Sequence, residues 1–94
     1  MQVDVVAINW RTKDILLGEC KWGIDRVGRS VIRELIEEKT PRVLQRLDGR
    51  WQTHHCFFAR AGFTKAAHQE AANAGARTVD LVQLDQDLQN EELE

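Results

Sequence analysis

Asp4, Glu19 and Lys21 are the residues of this chain whose types and setting could do chemistry. Each lies in or beside an apolar run, Val3-Asp4-Val5-Val6-Ala7-Ile8 or Ile15-Leu16-Leu17-Gly18-Glu19-Cys20-Lys21-Trp22. A charge inside such a run must be paired, bind a metal or lose its charge. Two carboxylates converging beside one ammonium can hold a divalent cation such as Mg²⁺ or Mn²⁺ and set a water next to it. The same residues also allow a cross-strand ion pair with no ligand.

The elements that would position them are two strands. Both runs are rich in Val, Ile and Leu, and Arg11-Thr12-Lys13-Asp14 between them suits a four-residue hairpin loop. Side chains alternate across a strand, so Glu19 and Lys21 share one face and Cys20 takes the other. Closing the hairpin with Trp10 opposite Ile15 puts Asp4 opposite Lys21 and diagonal to Glu19, all on one face. A slip of one residue would send Asp4 to the other face and dissolve the cluster.

Asp4, a hairpin and then Gly18-Glu19-Cys20-Lys21-Trp22 resemble the Asp…Glu-x-Lys core of the PD-(D/E)XK, restriction-endonuclease-like superfamily. More narrowly, the chain is similar to an uncharacterised domain found C-terminal to archaeal-type ATPase modules. There an Ile/Val-Asp-Val-Val-Ala strand, a Gly-Glu-Cys-Lys-Trp strand and a Ser/Ala-Arg-x-Gly-Phe-Thr segment, here Ala59-Arg60-Ala61-Gly62-Phe63-Thr64, recur in this order. The resemblance runs from Gln2 to Leu84. It implies a restriction-endonuclease-like α/β core, with Asp4, Glu19 and Lys21 catalytic. Asp4, Glu19 and the backbone carbonyl of Cys20 would ligate Mg²⁺ or Mn²⁺. It also implies DNA and an ATPase module as partners. The superfamily core begins with a helix and a first strand, whereas this chain starts almost on Asp4. The expectation is therefore a core without that N-terminal helix, whose uncovered sheet favours a homo-oligomer. The alternative is a non-catalytic interaction or regulatory domain that keeps the fold.

Composition fits one small α/β domain, residues 1–84, followed by an acidic, frayed tail at 85–94. The chain has 94 residues, 43% hydrophobic and 30% charged, with a net charge of −2. Five acids and no base fall in 85–94, so residues 1–84 carry 13 bases against 10 acids. That leaves phosphate binding by the body open despite the negative total. No apolar run reaches the roughly 20 residues of a membrane span, and Asp4 interrupts what could be a signal peptide. Cys20 and Cys56 fit no metal-ligand spacing and read as reduced thiols of a cytoplasmic protein.

Further along, Val27, Val31 and Leu35, widened by Ile32 and Ile36, predict an amphipathic helix over 26–39 capped by Asp25. Its other face carries Arg26, Arg29 and Arg33, the candidate nucleic-acid contacts. Thr40-Pro41 predicts a break and a second short helix. Lys39, Arg42, Arg46 and Arg50 then read as a solvated polar face, or an extension of the basic surface. Residues 54–59 predict a strand, with His54 and His55 at its end pointing opposite ways. Gly62 marks a turn, Thr64 caps a helix over 65–74, and 79–84 predict a final strand parallel to 54–59. No glycine-rich phosphate loop or nucleophile elbow is present, so the chain carries no ATPase site of its own.

Overall fold

Asn9 ends the first strand and builds the first turn. Its side-chain oxygen accepts the N–H groups of Arg11 and Thr12 at 3.1 and 3.2 Å, and Lys13 takes a left-handed conformation at φ 60°. β1 (Val5–Asn9) and β2 (Asp14–Lys21) are thereby joined by Trp10–Lys13, with Ile8 opposite Ile15 and Val5 opposite Gly18. The register expected from Trp10 opposite Ile15 is thus off by two residues. Two is an even number, so every side chain keeps its face.

The computed structural model describes residues 2–92. It is a mixed α/β domain with a four-stranded sheet of order β1-β2-β3-β4, in which β3 is Gln52–Ala59 and β4 is Arg77–Asp80. β2, β3 and β4 run parallel to one another. Both crossovers advance in one direction across the sheet, and a shared right hand puts their helices on the same side. Ile15, Leu17, Phe57, Ile32, Leu35, Ala67 and Ala71 form the core between that sheet face and the helices. Complete burial of a Phe, Ile or Leu side chain contributes about 1.5–3 kcal/mol. The opposite sheet face carries the free thiols of Cys20 and Cys56, both half-buried, on adjacent strands.

The first crossover is one continuous helical segment over 29–44: α1 (Arg29–Arg33), a π-helical stretch (Glu34–Lys39) and α2 (Thr40–Leu44). Two expectations are corrected here. The helix starts after Gly28 rather than at Arg26, because Val27 is held extended. Val27 donates to the Gly62 carbonyl and accepts from the Thr64 N–H, both at 2.9 Å. Nor does Pro41 break the helix. Proline lacks an N–H and its ring crowds the carbonyl four residues back. The widened turn accommodates it, and the Thr40 N–H reaches the Leu35 carbonyl five residues earlier.

α3 (Lys65–Asn73) follows the reading closely. The Thr64 hydroxyl accepts the Ala67 N–H at 3.1 Å, and Gly62 and Gly75 adopt φ of 82° and 68°. The end of the chain differs. β4 stops at Asp80, whose carboxylate accepts the Val82 and Gln83 N–H groups and starts α4 (Leu81–Glu92). Residues 81–84 are thus helical rather than strand, and the acidic stretch through Glu92 is helix rather than a frayed end. No helix among the described residues is long and apolar enough to cross a membrane.

Candidate active site

Among the described residues Glu19 is the buried charged side chain, 4% exposed, on the helix-facing side of β2. Its partner is Lys39 from the π-helical stretch, with Nζ 2.7 Å from Oε1. Lys39 comes within reach because it continues the stripe of Ile32 and Leu35, one turn on. Glu34 adds a third charge, with Oε1 3.9 Å from the same ammonium.

Asp4 lies beside Glu19, exposed and just before β1. In the observed register it aligns with Glu19, since β1 and β2 pair Val5 with Gly18. Its Oδ2 accepts the Cys20 N–H at 2.8 Å, so the carboxylate extends the ladder where β1 ends. In an extended strand the N–H and C=O of one residue point to the same side, so the Cys20 carbonyl also faces Asp4. The hydrogen bond from Lys39 to Glu19 holds the ammonium above its ordinary range. Burial opposes this, and the charges of Glu19, Glu34 and Asp4 add to it. Lys39 is therefore cationic at neutral pH. It can stabilise developing negative charge but cannot serve as a base.

The sequence-predicted residues divide. Asp4 and Glu19 lie side by side across the start of β1, Glu19 paired with Lys39 and Asp4 bonded to the Cys20 N–H. Lys21 is exposed at the end of β2 and forms no ion pair among the described residues. Asp4 aligns with Glu19 rather than opposite Lys21. Of the candidate nucleic-acid contacts, Arg26 precedes the helix, Arg29 is exposed, and Arg33 is bound to Glu70, which raises the guanidinium further. Lys39, grouped by sequence with the solvated face, is the partner of Glu19 that the sequence reading missed. Its position on an apolar helical stripe was the available signal.

Asp4 and Glu19 would offer a divalent cation two carboxylates. Mg²⁺ is commonly held by one or two carboxylates and keeps several waters. The described residues contain no group of three or more His, Cys, Asp and Glu arranged as a ready metal cage.

Next to the pair lies a second buried polar contact. The Thr40 hydroxyl donates to the Leu35 carbonyl at 2.7 Å and meets His55 Nε2 at 2.9 Å. His54 points the other way and contacts Asp14 at 3.0 Å, which holds the Asp14 carboxyl below its ordinary value. Burial pushes His55 below its ordinary 6.5, with His54 adding to the effect. The folded state then binds fewer protons than the unfolded chain just below pH 6.5, so stability falls on acidification. Urea midpoints between pH 7 and 5 should fall with a slope of at most about 1.4 kcal/mol per pH unit. His55→Gln should flatten that slope, and an unchanged slope would assign it elsewhere.

Comparison with family models, with curated proteins and with solved structures finds no match to this chain.

Proposed function

We propose that this chain is a nuclease-like domain that binds DNA and acts on phosphodiesters with a divalent metal ion, in the manner of the PD-(D/E)XK superfamily. The observation that carries the reading is the pairing of Lys39 with buried Glu19 on β2, with Asp4 just before β1 aligned beside Glu19 and its charge acting on the same ammonium. Asp4, Glu19 and the Cys20 carbonyl would hold Mg²⁺ or Mn²⁺, which when bound lowers the pKa of a coordinated water and neutralises phosphate charge. The Cys20 N–H fixes the Asp4 carboxylate in place. Lys39 would offer its ammonium to the charge that grows on phosphate. Lys21 and Arg29, both exposed, would meet the substrate backbone. Association with an ATPase module and a cytoplasmic setting belong to the same proposal.

A second reading has its own support. The Glu19–Lys39 pair is complete without a ligand, and no ready cage of three donors is present among the described residues. These features suit an interaction or regulatory domain that keeps the fold and has no chemistry. Calorimetric titration with Mn²⁺ separates the two. The nuclease reading expects one saturable site, lost in Asp4→Ala and in Glu19→Gln, with metal-dependent nicking of plasmid DNA lost in the same variants. Absence of binding, or binding unchanged by Glu19→Gln, would leave the interaction domain.

A further inference from the structure

β1 is an outer strand, hydrogen-bonded on one side to β2 and open on the other. Natural sheets blunt such edges with lysine, proline, a bulge or a cover. Val5–Asn9 contains no charge and no proline, and its pairing with β2 runs without a bulge. Val5, Val6 and Ile8 are instead large apolar residues exposed at 37%, 45% and 36%.

The strand is also self-complementary about Ala7. In an antiparallel pair of identical strands related by a two-fold axis normal to the sheet, opposite residues share a face. With Ala7 on the axis, Val6 faces Ile8 of the partner subunit, and the same contact repeats on the other side of the axis. Four apolar side chains then meet on the helix-bearing face. Shifting the axis to Val6 would set Asp4 against Ile8 of the partner subunit, which strands a charge on an apolar neighbour. Charge agrees with the antiparallel sense. Asp4 lies at one end of the strand and exposed Arg11 at the other, with no ion pair to Arg11 among the described residues. Antiparallel pairing brings each Asp4 to the Arg11 end of the partner, whereas parallel pairing would set Asp4 on Asp4.

We propose that two copies of this chain pair antiparallel through β1, centred on Ala7, to form one continuous eight-stranded sheet. The pairing carries Trp10 of the partner subunit to the level of Asp4. Trp10 is 65% exposed and packs edge-on against Trp51. The second copy thereby supplies an aromatic wall beside the carboxylate group. This inference rests on strand geometry and stands whether or not the site binds metal.

Crosslinking tests the register directly. Residues directly opposite in an antiparallel pair lie about 4.5–5.5 Å apart at Cα, inside the range a disulfide spans. Ala7→Cys should form a covalent dimer under mild oxidation. Val5→Cys should not, because the two Val5 positions stand four residues apart, about 13 Å along the strands. The unsubstituted chain, with Cys20 and Cys56, is the control. Sedimentation across a concentration series should show the mass doubling for the unsubstituted chain. Ile8→Lys should remain monomeric with its circular dichroism unchanged. A strict monomer at every concentration would overturn the proposal. So would a dimer in which Val5→Cys crosslinks as well as Ala7→Cys, since that dimer would use another surface.

Discussion

Lys39→Met should lower the stability of the domain by about 3 kcal/mol in urea unfolding at neutral pH. Removing one member of a buried ion pair leaves the other without compensation, at a cost of about 3–5 kcal/mol. The lower end applies because the Lys39 side chain keeps 17% of its exposure, so water reaches the pair from that side. The loss should belong to the pair rather than to packing. Methionine fills most of the lysine stem, and adding Glu19→Gln to Lys39→Met should restore most of the stability. Mn²⁺ gives the prediction a functional arm. With the competing ammonium gone, the metal should bind more tightly, and at a hundred times its dissociation constant it would return about 2.7 kcal/mol. A loss below about 1 kcal/mol, the level of a solvated surface pair, would show that Glu19 does not depend on Lys39.

Gly62→Ala should cost about 2 kcal/mol or more, although the change adds a single methyl group. The position has φ 82°, where a Cβ costs about 1–2 kcal/mol by itself. That Cβ would also stand 2.6 Å from Asp80 Oδ2. Asp80 has little room to yield, because its Oδ1 holds the first turn of α4 through the Val82 N–H. The Gly62 carbonyl meanwhile holds Val27 extended at the mouth of the first helix. Gly75→Ala is the matched control. It has φ 68° with no atom within 4 Å of the new Cβ, so only the backbone strain should appear. Equal losses at the two positions would show that the Asp80 contact adds nothing.

Much of the architecture was legible because it depends on local rules. The Ile15–Leu17 run, the Thr64 cap and the positive-φ glycine at Gly62 each point to one structure, and the strand-helix-strand order then sets β3 and β4 parallel. What escaped the sequence reading was decided by single side chains acting on backbone. Asn9 read as strand and serves the turn, which moved the register by two. Val27 read as the first apolar position of a helix and is held extended by Gly62 and Thr64. Asp80 read as part of a strand and caps α4, although Leu81, Leu84 and Leu88 stand at helical spacing behind it. The candidate site follows the same division. The face shared by Asp4 and Glu19 followed from alternation alone. The ammonium that meets Glu19 lies on the apolar stripe of the predicted helix, one turn after Leu35, but as a lysine among other basic residues it read as part of the solvated face.

The parallel register has a consequence for how the chain comes together. Asp14 lies beside Gln52, thirty-eight residues away in sequence, and Cys56 beside Arg77, twenty-one residues away. The hairpin closes across four residues. Ring-closure entropy grows only with the logarithm of length, so the two long closures differ by about 0.5 kcal/mol. Each must nevertheless be made before its contacts can reward it, which slows a non-local fold relative to a helical one. Glu19 and Lys39 belong to the longer of the two rings, on a strand and on the helix that crosses from it. Their ion pair closes a loop of only twenty residues, shorter than either strand pairing, so it needs the helix to settle on β2 but not the arrival of β3, and it is lost when the crossover lifts from the sheet.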